Sequence, residues 1–203
     1  MNDRRKTAII LGTLSLFMFT PIVQNVLIGF KNPFFQNLGF VQGTLAPWYA
    51  WIPALFIIVG YIFYTFKAIP LVFTMQREIT LFKLIGLFAG FVAGTIEELA
   101  FRRWLMDFTM NLGYGTAIQI ILSGVFFGLF HIGWGILNRK KRISFGAALS
   151  TMALGLSLAI VYIVGQRNIG PCIIAHCLIS MIIEPWLMLA AVSGQWRSVQ
   201  TSK

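Results

Sequence analysis

Apolar residues run along this chain in long blocks instead of alternating with polar ones. Six blocks, about 7–30, 48–66, 81–110, 115–137, 144–165 and 170–193, each approach the ~20 apolar residues that a helix needs to cross a hydrocarbon core. Polar residues collect in the short connections between them. The pattern predicts an all-α fold: a polytopic membrane helix bundle of about six transmembrane helices, forming one integral membrane domain over residues 1–203. No repeat with a period of 20–50 residues interrupts it. The first block follows a basic start and lacks a small-residue cleavage site, so it reads as a retained helix and not as a signal peptide. The 67–80 connection, the longest on the side that carries the basic residues, is itself partly apolar and reads either as a segment lying along the membrane interface or as a plain loop.

Composition agrees: 58% of residues are hydrophobic and 11% charged, with a mean hydropathy of +0.80, against about 25% charged in soluble domains. The net charge of +10 changes the picture only in its distribution. Lys and Arg flank the apolar blocks and form no aromatic-interleaved surface, which argues against a nucleic-acid partner. Arg4, Arg5, Lys6, Lys67, Arg77, Lys83, the 139–142 run, Arg197 and Lys203 fall on one side, and Lys31 and Arg167 on the other. That bias predicts both termini in the cytoplasm. Cys172 and Cys177, five apart in one apolar block, suit neither a CxxC metal site nor a disulfide and read as packing residues.

The third block carries charges that need compensation, since an Asp, Lys or Arg at a helix centre costs about 2.5–3.5 kcal/mol on insertion. Glu98 and Arg102 form an i, i+4 pair in the favourable orientation, and Arg103 has Asp107 four residues on. Glu97 is left without an intrahelical partner and is the candidate for chemistry. Gly86, Gly90 and Gly94 precede it at the small-xxx-small spacing that brings membrane helices close, so the carboxylates should face another helix. Two histidines, His131 and His176, lie in the fourth and sixth blocks. Counted from the intervening turn, Glu97 and His131 lie about 20 and 24 Å deep. His176 lies only about 9 Å past Gly170, and matches that level only if the sixth helix starts deeper or the third and fourth protrude. Ser180 and Glu184 follow His176 at intervals of four, on one helical face. Glu184 reads either as a further buried acid or as a helix-end charge before Pro185.

These residues resemble the motifs of the CPBP family, which includes the type II CAAX prenyl endopeptidases and the bacteriocin-processing and self-immunity (Abi) proteins. EExxxR is matched by Glu97, Glu98 and Arg102 in "EELAFR"; FxxxH by Phe127 and His131 in "FGLFH"; and a His followed four residues later by Asn or Asp is matched at His176 but departs at Ser180. The motif-bearing core covers about 81–193. The resemblance implies an endopeptidase in which Glu97 with His131 activates a water, His176 with residue 180 stabilises the oxyanion, and Glu98 and Arg102 shape the site, with Glu98 able to share the base role. It favours a metal-free reaction; zinc held by His131, His176 and Glu97 is the alternative. The expected partners are membrane lipids and a membrane-associated peptide or protein, such as a leader peptide, bacteriocin precursor or pheromone. The expected location is a multi-pass one in a bacterial plasma membrane. A non-proteolytic immunity or scaffold protein that keeps the motif as structure is the competing reading, and a proton relay or small transporter a weaker one.

Overall fold

The computed structural model describes residues 2–29, 45–133 and 141–195, and among these every regular element is helical. Eight α-helices follow in order: α1 (Asp3–Gly29), α2 (Trp48–Ala68), the short α3 (Pro70–Thr74), α4 (Leu81–Glu98), α5 (Asp107–Asn111), α6 (Thr116–Phe130), α7 (Lys141–Val164) and α8 (Gly170–Val192). Between α4 and α5 the chain stays helical, but Leu99–Met106 is wound as a π-helix. Six stretches are long and apolar enough to cross a membrane: Asp3–Gln24, Trp48–Ala68, Leu81–Asn111, Thr116–Gly133, Phe145–Val164 and Gly170–Val192. These match the six predicted blocks. The expected end of the fourth block at 134–137, residues 139 and 140 of the basic run, Lys31, Arg197 and Lys203 lie outside the described residues.

Close helix approach, made possible by glycine, builds the core. On α4, a Cβ at Gly90 would sit 2.5 Å from the Met181 backbone nitrogen of α8, one at Gly94 would sit 2.7 Å from that of Cys177, and one at Gly86 would strike the Pro185 ring. The antiparallel register therefore advances four residues on each helix at every contact. A second stripe does the same for α6 and α7: a Cβ at Gly128 would meet the Met152 side chain at 2.6 Å, and one at Gly124 would strike Leu156. Its signal in the sequence is the four-residue spacing of Gly124 and Gly128. Outward-facing Phe17, Phe56, Phe63 and Leu16 are exposed, as expected of side chains that meet lipid.

Local signals start and shape these helices. Thr80 caps α4, its hydroxyl accepting from the Lys83 amide at 3.4 Å, and Pro171 occupies the first turn of α8, where its missing N–H costs nothing. Pro185 within α8 leaves a carbonyl of the preceding turn without its helical donor. Gln76, in the 3₁₀ turn after α3, donates to the adjacent Ile182 carbonyl at 2.7 Å. The 69–80 connection is thus folded against the bundle: Ile69 and Val72 are buried while Phe73 and Ile79 are exposed. Arg4 fastens it to α1 through both Glu78 oxygens, at 2.9 and 2.8 Å.

The opposite end is tied by Asp107, at the start of α5. It accepts from Arg103 at 2.9 Å, from Arg167 at 2.6 Å and from the Tyr162 hydroxyl at 3.1 Å. Arg167 lies in the tight turn between α7 and α8, yet it reaches Asp107 and not the end of α5, so α8 starts below the end of the third span. That fixes the depth offset: nine residues from Arg167 to His176 and ten from Asp107 back to Glu97 are about 14 and 15 Å of helix. His176 and Glu97 therefore lie at one level.

Candidate active site

The α4–π-helix junction, the end of α6 and the first third of α8 converge on Glu97, Glu98, His131 and His176. Glu98 and Arg102 are fully buried. Glu98 Oε2 lies 3.0 Å from Arg102 Nε, and its Oε1 lies 2.7 Å from His176 Nδ1. Arg102 also reaches the Gly155 carbonyl of α7 at 3.3 Å and lies over the Phe127 ring, 5.0 Å from its centroid. The intrahelical pair expected from the sequence is present, but Glu98 has a second partner 78 residues away that spacing could not reveal.

The ring nitrogens are oriented by their partners. His131 Nδ1 lies 2.8 Å from the Phe127 carbonyl; a carbonyl only accepts, so Nδ1 carries the proton and Nε2 presents its lone pair. Glu98, ion-paired with Arg102, accepts from His176 Nδ1, which leaves Nε2 as the ring nitrogen facing the site. Both Nε2 atoms point at the same oxygen, Glu97 Oε2, at 3.7 and 3.8 Å. Those separations exceed a direct hydrogen bond, and Glu97 Oε2 makes no hydrogen bond to the protein. Two acceptors, His131 Nε2 and Glu97 Oε2, and the His176 Nε2 thus surround one small volume. Phe127 floors it, packing 4.6 Å from the His131 ring and 5.5 Å from the His176 ring.

Ser180 is buried one turn along α8 from His176, and Glu184 is partly buried one turn further. Cys177 faces away from the two histidines, its thiol against Thr95 Oγ1 at 3.7 Å and the Phe91 carbonyl at 3.4 Å. Cys172 is buried against the Leu158 carbonyl at 3.3 Å. Both cysteines are unpaired packing residues, as expected.

A family model for type II CAAX prenyl endopeptidase Rce1-like proteins matches residues 79–182, slightly more than half of the chain, and the match contains all four of these side chains. The chain belongs to this family. No curated protein and no solved structure matches it. Six apolar membrane-length helices and membership in a membrane protease family make it a multi-pass membrane protein. The match starts at the end of the 69–80 connection and stops before Glu184, so α1, α2 and the end of α8 lie outside it.

Proposed function

We propose that the chain is an intramembrane endopeptidase in which Glu97 is the general base for a water that attacks a peptide carbonyl. The supporting observation is the convergence of both histidine Nε2 atoms on the unsatisfied Glu97 Oε2. Acceptors alone repel one another; a water donates two hydrogens and fits among groups 3.7–3.8 Å apart. His131 accepts one hydrogen and orients the oxygen. Glu97 takes the other as the C–O bond forms, then passes it to the amide nitrogen as the C–N bond breaks. His176 as an imidazolium, with Nδ1–H on Glu98, offers Nε2–H to the oxyanion, and the Ser180 hydroxyl one turn away supplies a second donor. Glu98 is therefore the orienting partner of His176 and not a second base. Its two oxygens are already engaged by Arg102 and His176.

The zinc alternative uses the same three atoms, but tetrahedral ligands at about 2.0 Å lie about 3.3 Å from one another. The separations here are wider, and among the described residues no group of three or more His, Cys, Asp or Glu is arranged to hold a metal. The metal-free reaction fits these residues better. The substrate class is a membrane-embedded or membrane-delivered peptide or protein, met from the cytoplasmic side under the basic-end topology. A leader peptide, bacteriocin precursor or pheromone in a bacterial plasma membrane fits that setting.

The test is a mass-spectrometric comparison of peptides in membranes and medium from cells carrying wild type or equally abundant Glu97→Gln protein. Termini lost in the variant support the reading and name the substrate. Ser180, where the family motif has Asn or Asp, favours a second reading: an immunity or scaffold protein that has kept the motif as structure. It predicts identical peptidomes and a phenotype that survives Glu97→Gln.

A further inference from the structure

Arg167 lies in the turn that immediately precedes α8, outside every motif matched from the sequence. Its guanidinium reaches two other helices. Nη1 binds Asp107 Oδ1 at 2.6 Å, at the end of the π-helix that begins one residue after Glu98, and Nη2 donates to Gln119 Oε1 on α6. The three elements joined here are those that carry Glu97, His131 and His176. Counted from the joint, the three side chains lie ten, twelve and nine residues away, about 15, 18 and 14 Å along their helices. One guanidinium thus registers all three helices from a common level.

We infer that Arg167 is a positioning residue that sets the depth and rotation of the helices bearing Glu97, His131 and His176. The π-helix explains why rotation needs to be held. Its i→i+5 bonds wind more residues into each turn than an α-helix does, so relaxing Leu99–Met106 to α geometry would turn Glu97 and Glu98 relative to Asp107. Two clamps prevent this, and both belong to the α8 side: Arg167 on Asp107 at one end and His176 on Glu98 at the other. The turn is built for the purpose. Gln166 and Arg167 both adopt the left-handed conformation, at φ 54° and 61°, which non-glycine residues rarely occupy. The Arg167 amide bonds the Tyr162 carbonyl at 2.8 Å, and the Gln166 side chain bonds Tyr49 Oη at 3.0 Å. Such local strain persists where surrounding contacts impose it. Arg103 also binds Asp107, but from four residues away on the same helical run, so it cannot register one helix against another.

The catalytic meaning of this joint rests on the endopeptidase reading; its geometry does not. The chain has only two histidines, so ¹⁵N-histidine labelling of the whole protein in nanodiscs gives four ring-nitrogen resonances that report both imidazoles without any substrate. Arg167→Ala is expected to shift the His176 Nδ1 resonance away from its Glu98-bonded position and to perturb both Nε2 signals. Arg103→Ala is expected to leave all four in place, and Gln119→Ala to move those of His131 while sparing His176. Once a substrate is in hand, Arg167→Ala is expected to lower kcat about tenfold or more with KM little changed. A folded Arg167→Ala protein with unshifted resonances overturns the inference. If that variant does not fold, unmoved His131 signals in Gln119→Ala overturn it instead. Shifted resonances in a protein that cleaves nothing would sustain the joint and count against the endopeptidase reading alone.

Discussion

Arg102→Met is the perturbation that bears most directly on how the site is held. It keeps a side chain of similar length over Phe127 but removes the guanidinium 3.0 Å from Glu98. The residue is fully buried, and so is Glu98, so water cannot replace the lost partner. Breaking a buried pair by removing one member costs about 3–5 kcal/mol, mostly the penalty of the charge left behind. Glu98→Gln should cost a similar amount, because Arg102 would then retain only the Gly155 carbonyl and the ring face. The double variant Glu98→Gln/Arg102→Met leaves no buried charge in the pair, while the amide oxygen introduced at position 98 still accepts from His176. It is expected to lose less than the sum of the singles by about 3 kcal/mol, the upper end of measured couplings. Equilibrium unfolding in mixed micelles, titrating SDS and following helical circular dichroism, provides all four corners of the cycle. Additive losses would refute the claim that the two charges compensate each other in the low-dielectric interior.

Three further outcomes follow from packing and charge. Gly90→Ala places a Cβ against the Met181 backbone, which cannot rotate away, and should cost about 1–3 kcal/mol by overpacking in the same unfolding assay, whereas Gly146→Ala, which meets nothing within 4 Å, should be neutral. Maleimide should label Cys172 and Cys177 only after SDS is added, since both are buried; rapid labelling in nanodiscs would contradict the packing of α8. Glu78→Gln should lose at most about 1 kcal/mol, and the loss should shrink at high salt, because the Arg4–Glu78 pair is about a third exposed or more on each side.

Much of this architecture can be read from residue types at fixed spacings. The six spans follow from apolar length, the close approach of some other helix to α4 from Gly86, Gly90 and Gly94, and the pairs Glu98–Arg102 and Arg103–Asp107 from i, i+4 geometry. Each of those depends on neighbours within one helix or on composition. What cannot be read depends on contacts far apart in the chain. The His176–Glu98 bond joins residues 78 apart on two helices, which no spacing within one helix reveals. The π-helix at Leu99–Met106 has no signature in the spacing of residue types. Arg167 reads from sequence as a lone loop cation; only the recessed start of α8 shows that it reaches Asp107 and Gln119. That same recess settles the depth of His176, which helix lengths leave open.

Neutralising two adjacent glutamates should have opposite consequences, and Glu97→Gln tests this most directly. Glu97 Oε2 has no hydrogen bond within the protein, so neutralising it should leave unfolding free energy unchanged or slightly raised while hydrolysis of the peptide found in the peptidome comparison falls by about 10²–10⁴-fold. A Glu97→Gln protein that is equally stable and still cleaves at the wild-type rate would contradict the account, and the base would have to be sought elsewhere.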